Sequence, residues 1–228
     1  MSIRVTPFAK EEFYHIYNRG NSKQIIFHDP EDMSRFQDLL YISNNIERFV
    51  MKDLSHKDHI SKANTIPEES RLVAIGSYCL MPNHFHILIT PLTESGVSKF
   101  MQKLSTAYSM YYNKKYAHSG GLFEGKFKAK HTPDDTYLKY LFSYINLNPV
   151  KLIDPTWKKY GLKDIQKTFM FLETYKYSSY LDLLYYRDNG KRRAEADILS
   201  LGEFPEYFPT GEHFKKEIVR WFSYRKDF

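Results

Sequence analysis

The stretch from Tyr78 to Ile89, YCLMPNHFHILI, constrains the chain more than any other. Two apolar runs are broken by Pro82-Asn83, residue types that start turns, so the spacing predicts a β-hairpin. Side chains alternate along a strand. His84 and His86 therefore fall on one face, and Phe85, Ile87 and Ile89 on the other. Two imidazoles one strand repeat apart then point the same way from a rigid, half-buried element. Neutral imidazole is a common metal ligand, so the arrangement suits a divalent cation. The pattern also occurs by chance in many strands, and its meaning depends on the rest of the chain.

The 228 residues suffice for one domain of ordinary size with appended elements. A formal net charge of +6 favours a polyanionic partner. The 19 tyrosines interspersed with lysine suit bases stacking beside phosphates, although a tyrosine-rich core gives the same composition. A single cysteine, Cys79, excludes internal disulfides and fits a reducing, cytoplasmic setting. Within an apolar run it reads as a buried strand residue rather than a ligand. No apolar run approaches the ~20 residues of a membrane span, and the N-terminus lacks the apolar core of a signal peptide, so no membrane is expected.

Taken in order, Glu12 to Tyr17 alternates as a strand closed by the turn Asn18-Arg19-Gly20-Asn21, which sets Arg19 at a strand end where it can meet a phosphate. Asp29 and Pro30 open a helix over 31–46 with Met33, Phe36, Leu39, Leu40, Ile42 and Ile46 as its apolar stripe. Residues 49–70 are polar and without period, and read as an inserted loop that carries His56 and His59. Strands over 71–80 and 84–90 form the hairpin. A helix over 97–116 follows, with Val97, Phe100, Met101, Leu104 and Tyr108 on one face and Lys99, Lys103 and Lys114 on the other. Between Lys99 and Lys130 there are seven lysines and one acid, Glu124. Such a run is either a solvated face or a track for a nucleic-acid backbone, in which Lys99, Lys103, Lys114, Lys126, Lys128 and Lys130 take part. Residues 122–129 (LFEGKFKA) read as a fourth strand with Gly125 as a bulge. Asp134 and Asp135 start a helix over 135–148 whose Leu138, Leu141, Phe142 and Ile145 are apolar. Tyr137, Tyr144 and Asn148 share the neighbouring stripe, and Pro149 ends the helix. Beyond Val150 only short helical pieces are expected, one of them over 178–187, before a final helix containing Phe214, Ile218, Val219 and Phe222.

The order strand, helix, strand, strand, helix, strand, helix is the split β-α-β arrangement. It makes the chain α+β, with a ferredoxin-like βαββαβ core built on an antiparallel sheet and a mainly helical C-terminal extension. Fold alone does not assign function. Met81-Pro82-Asn83-His84-Phe85-His86, followed by Tyr144-Ile145-Asn146-Leu147-Asn148-Pro149-Val150, resembles the His-hydrophobic-His (HUH) single-tyrosine transposases, and within them the REP-associated tyrosine transposases. Asn18-Arg19-Gly20, Gly121-Leu122-Phe123-Glu124-Gly125-Lys126-Phe127 and Tyr177-Ser178-Ser179-Tyr180 add to the resemblance, which covers residues 10–182. It implies that residues 1–150 are a catalytic domain whose catalytic helix follows the last core strand, and that 151–228 pack on it as an extension. The segment 49–70 and the tail after 183 have no counterpart in the resemblance.

The resemblance further implies a metal-dependent nuclease and strand transferase for single-stranded or hairpin DNA, acting as monomer or homodimer. Carried over, His84, His86 and Asn148 become the metal ligands and Tyr144 the nucleophile. The chemistry agrees with the residue types. A phosphodiester repels nucleophiles, and a divalent cation on its oxygens stabilises the charge added in the transition state. Mg²⁺ prefers oxygen ligands while imidazole suits softer ions, so Mn²⁺ should serve at least as well as Mg²⁺. Attack by Tyr144 gives a 5′-phosphotyrosine and a free 3′-hydroxyl, and the covalent link lets a second 3′-hydroxyl reverse the step without ATP. A free phenol, with a pKa near 10, is a poor nucleophile at neutral pH, so some group must activate it. Among 19 tyrosines most only pack, and it is Asn148 four residues on together with the histidines that singles out Tyr144. Two other classes are compatible with the residues. One is a zinc-type hydrolase with His118 or His131 as a third ligand, and the other is a hairpin-DNA binding protein without catalysis.

Overall fold

Antiparallel pairing around the predicted hairpin builds the centre of the molecule. The computed structural model describes residues 8–47, 66–188 and 190–224. Strand β1 (Tyr14–Arg19) leads to helix α1 (Pro30–Ile42), then β2 (Val73–Met81), β3 (His84–Pro91), α2 (Gly96–Tyr116), β4 (Lys128–His131) and α3 (Asp135–Asn146). The sheet order is β2-β3-β1-β4 and every neighbouring pair is antiparallel. This is the ferredoxin-like arrangement, α+β as expected. Four further helices follow: α4 (Trp157–Tyr160), α5 (Ile165–Thr174), α6 (Tyr180–Leu184) and α7 (Gly211–Tyr224).

The capping residues act where the sequence places them. The Asp29 carboxylate accepts from the amide of Asp32 with Pro30 in the first turn, and the Asp134 carboxylate accepts from the amide of Tyr137. The hairpin register sets Leu80 opposite Phe85 and Tyr78 opposite Ile87, and these side chains are fully buried on one face of the sheet. Helices α1 and α2 cover that face, with the Phe36 ring tilted against Phe85 at 5.0 Å and edge-on to Tyr108 at 4.9 Å. The opposite face receives α3, where Asn146 donates to Ser77 at 2.8 Å. At Gly76 the register shifts, and a Cβ there would lie 2.8 Å from the Phe204 ring, so only glycine lets that ring close against the strand.

The segment after residue 150 is tied to the sheet. Leu80 donates its amide to Tyr177, Ser179 to Tyr78, and Ser200 to Ile75, which covers the outer edge of β2. Arg193 holds this strap with hydrogen bonds to the carbonyls of Lys176 and Ser178 and a 2.6 Å ion pair to buried Asp182. Helix α7 packs on α3 through Lys139–Glu217 at 2.9 Å and through Trp221 against Tyr140 at 5.0 Å.

Several expectations are corrected. The fourth strand is Lys128–His131, not 122–129. Residues 122–127 form a loop around the end of β1, with Glu124 donating to the Arg19 carbonyl and Gly125 at φ +70°. The alternation of LFEGKFKA reflects that wrapping, since Leu122 is buried while Glu124 and Lys126 are exposed. Helix α1 ends at Ile42 because Asn44 turns in to bond both amide and carbonyl of Val73, and Ile46 is left exposed. Helix α3 ends at Asn146, and Asn148 opens a short 3₁₀ turn. The helix expected over 178–187 is confined to α6, because Tyr177–Ser179 are drawn to the edge of β2. Of the inserted loop 49–70, residues 66–70 are described, with Ile66 buried and a 3₁₀ turn at Glu68–Ser70. His56, His59 and the side chain of Phe222 lie outside the described residues.

Candidate active site

Strand register decides which side chains meet. Arg19 pairs with His84, Tyr17 with His86 and His15 with Leu88, while Lys128 and Lys130 pair with Tyr17 and His15. Directly paired residues share a face, so His84, His86, His15, Tyr17, Arg19, Lys128 and Lys130 all lie on the α3 side of the sheet. His86 is 8% exposed, and its Nδ1 is 2.9 Å from Nε2 of His15. His84 stands 5.1 Å from the His86 ring, and its Nδ1 is 2.6 Å from Oδ1 of Asn83 in the turn.

Helix α3 brings Tyr144 to this cluster. Its ring meets His86 edge-on at 5.9 Å and His15 at 6.0 Å. Lys158, from α4, donates to the Tyr144 hydroxyl at 3.1 Å and to Oδ1 of Asn148 at 3.2 Å. Asn148 is buried, and its Nδ2 donates to the Tyr144 carbonyl at 2.8 Å, so the amide keeps its place although the helix has ended. Farther along α3, Lys130 donates to the Tyr137 hydroxyl at 2.9 Å, and Tyr140 lies between Tyr137 and Tyr144 at 5.4 and 5.5 Å.

Burial among cations keeps the imidazoles neutral. Burial, then Arg19, Lys151 and Lys158, push His84 down to about 4. Burial, then Lys130 and Lys158, push His15 down to about 4. His86 is held well below its ordinary value by burial, then by His15 and His84. Two neutral imidazoles side by side, each with Nδ1 engaged, present their Nε2 lone pairs, and this donor set fits a divalent ion. A carboxamide oxygen has two lone pairs, so Asn148 can accept from Lys158 and still offer one. Among the described residues no three His, Cys, Asp or Glu side chains form a metal-binding group. His131 bonds to Glu12 and His118 to Asn113, so neither joins the histidine pair, and a third histidine ligand from either position is not supported.

The cationic residues divide between the two faces. Arg19, Lys128 and Lys130 lie on the histidine face. Lys99, Lys103 and Lys114 sit on α2, across the sheet. Lys126 lines a cavity of about 430 Å³ there with Ser98, Gln102 and Phe127. The pattern of seven lysines follows the chain, not the surface, and the intervening β4 carries its own lysines through to the other side. Lys103 is engaged by the protein itself: its ammonium donates to the carbonyls of Asn45 and Glu47, and burial lowers its pKa. Sequence reasoning missed His15, Tyr17 and Lys158. The first two alternate with Arg19 in the first strand and were legible from that phase; WKKY carried no signal for Lys158.

Residues 40–148 match the family model described as Transposase IS200 like. This stretch of the chain is similar to the IS200-like transposases. That match contains His84, His86, Tyr144 and Asn148 and leaves His15 and Lys158 outside it. Among solved structures, the chain is similar to the REP-associated tyrosine transposase bound to a REP hairpin. The two share 13% identity at a TM-score of 0.45, over 86% of this chain and 90% of that one. No curated protein matches the sequence. Among the described residues, no helix is long and apolar enough to cross a membrane.

Proposed function

We propose that this protein is a transposase that cuts and rejoins single-stranded or hairpin DNA through a 5′-phosphotyrosine on Tyr144, with His84, His86 and Asn148 holding Mg²⁺ or Mn²⁺. The observation that carries the reading is the Tyr144 ring, set edge-on to His86 at 5.9 Å with its hydroxyl held by Lys158. When bound, the cation would polarise the scissile phosphate and stabilise the charge gained at phosphorus. The chain's own residues do the rest. His15 fixes the His86 ring by its hydrogen bond to Nδ1, as groups behind a metal ligand commonly do. Arg19, Lys128 and Lys130 hold the DNA backbone over the histidine face, and Tyr17 and Tyr137 offer rings to unpaired bases. Helix α3 presents the phenol oxygen to phosphorus; the Oη–P bond forms, the P–O3′ bond breaks, and the 3′ oxygen leaves as a hydroxyl. Attack by another 3′-hydroxyl on the phosphotyrosine restores the phenol and joins new DNA. The resemblance of the 81–86 and 144–150 motifs supports hairpin DNA as the preferred form.

The test uses wild type and Tyr144→Phe with 5′- and 3′-labelled hairpin DNA and Mn²⁺. An adduct carrying the fragment downstream of the cut, absent in the variant, is expected on a denaturing gel. Continued cutting by Tyr144→Phe would indicate a hydrolase that activates water. DNA binding without any cleavage in the wild type would indicate a binding protein.

A further inference from the structure

We infer that Lys158 is a catalytic residue of the Tyr144 step, the cation that stabilises the phenol oxygen as it becomes the nucleophile and as it leaves again; the inference rests on the phosphotyrosine reading above. Lys158 contacts both the Tyr144 hydroxyl and the Asn148 amide, at 3.1 and 3.2 Å. Its Nζ also lies 4.4 Å from the centre of the Tyr144 ring. The residue comes from beyond the stretch that matches the family model.

The placement is built. Neighbouring Trp157 is fully buried and meets Trp221 of α7 at 6.1 Å, which anchors the short helix α4. Asp154 accepts from the amide and hydroxyl of Thr156, the residue that precedes that helix, and Gly161 at φ +82° ends it. Lys158 is thus half-buried on a pinned turn rather than free on a surface loop. An ammonium hydrogen-bonded to a phenol oxygen stabilises negative charge on that oxygen in both directions of the reaction. In cleavage, Oη bonds to phosphorus, the P–O3′ pair departs with the 3′ oxygen, and the phenol proton is balanced by the one gained there. In rejoining, the P–Oη pair returns to the phenol oxygen beside Lys158. The ammonium keeps its proton throughout. The second bond, to Asn148, ties the same cation to the amide that also holds the Tyr144 carbonyl, so nucleophile and amide are set by one group.

A lysine here could instead clamp a DNA phosphate, or assist the departing 3′ oxygen, and kinetics separates the three. Single-turnover adduct formation is measured with hairpin DNA and Mn²⁺ for wild type, Lys158→Met, Lys158→Gln and Lys158→Arg, with DNA affinity and thermal melting of each. A hydrogen bond to a charged group predicts a roughly 10- to 100-fold slower adduct rate for Met and Gln, recovered to within about fivefold by Arg, at unchanged affinity. The same series is run on DNA with sulfur replacing the bridging 3′ oxygen, a better leaving group. The defect should persist there, because Lys158 serves the nucleophile. Rescue by sulfur would assign it to the leaving group, and weaker binding at an unchanged rate would assign it to the phosphate; either overturns the inference, as does a wild-type rate in Met and Gln variants that melt normally. If Met fails to melt as a folded protein, Gln and Arg carry the comparison. A wild type that forms no adduct at all would overturn the phosphotyrosine reading itself, a distinct result.

Discussion

Lowering the pH from 7.5 to 5 should destabilise the protein by roughly 4 kcal/mol through His15 and His84 together. Both are held neutral, pushed down to about 4 by burial and then by neighbouring cations. In the unfolded chain each returns to about 6.5. Between these values the unfolded state binds the extra proton, so stability is complete above pH 6.5 and is lost progressively as the pH falls toward 4. For one such group the loss is about 2 kcal/mol by pH 5 and about 3 kcal/mol once both states are protonated. His86, shifted in the same direction, adds to the loss. Urea unfolding in EDTA at pH 7.5, 6.5, 5.5 and 5.0, followed through the fluorescence of buried Trp157, reads the effect. His84→Gln removes one titrating group at the rim of the cluster, so its loss between pH 7.5 and 5 should be smaller than wild type by about 2 kcal/mol. Carboxylates titrate alike in both proteins and cancel in that difference. Parallel curves for variant and wild type would refute the claim that the folded site keeps His84 neutral.

Replacing His84 or His86 by Ala should abolish Mn²⁺-dependent cleavage while hairpin binding, measured by fluorescence anisotropy, stays within a few-fold of wild type. Near-normal cleavage by either variant would remove the metal assignment. Replacing Lys128 and Lys130 by Gln should shallow the slope of log K against log salt by roughly 1.4 for a single strand, whereas Lys99 and Lys114 together should leave it unchanged. Equal slope changes would mean that the DNA also engages the α2 face. Lys115→Met should cost roughly 3 kcal/mol or more in urea unfolding, because Asp32 is fully buried and Lys115 pairs with it at 2.9 Å. A loss under 1 kcal/mol would show that the Tyr111 and Tyr116 hydroxyls, which also donate to Asp32, suffice for that carboxylate.

The parts of this molecule legible from sequence are those governed by local period. The hairpin broken at Pro82-Asn83, the apolar stripe of α2 and the Asp134 cap are set by neighbours within a turn or a strand pair, and the structure has each of them. Tyr144 and Asn148 could be paired because one helical turn separates them. The rest depends on partners far along the chain. The fourth strand was misplaced because residues 122–127 follow the end of β1, which no alternation reveals. Lys103 looked like part of a basic track because its partners, the carbonyls of Asn45 and Glu47, are backbone groups without a side-chain signature. Lys158 had no signal at all, since its importance comes from where α4 docks.

The strap on the edge of β2 bears on how the protein is made. All nine residues of β2 are buried, yet the segments that close its outer edge, 177–179 and 200, follow it by about a hundred positions. Until they leave the ribosome, a growing chain carries a long apolar strand with open amide and carbonyl groups along one side. Such an edge is a template for pairing with another chain, and late, long-range closure prolongs the exposure. Synthesis of this protein therefore passes through an interval in which two nascent copies can join at β2 before either has finished, and rapid translation of the last third shortens it.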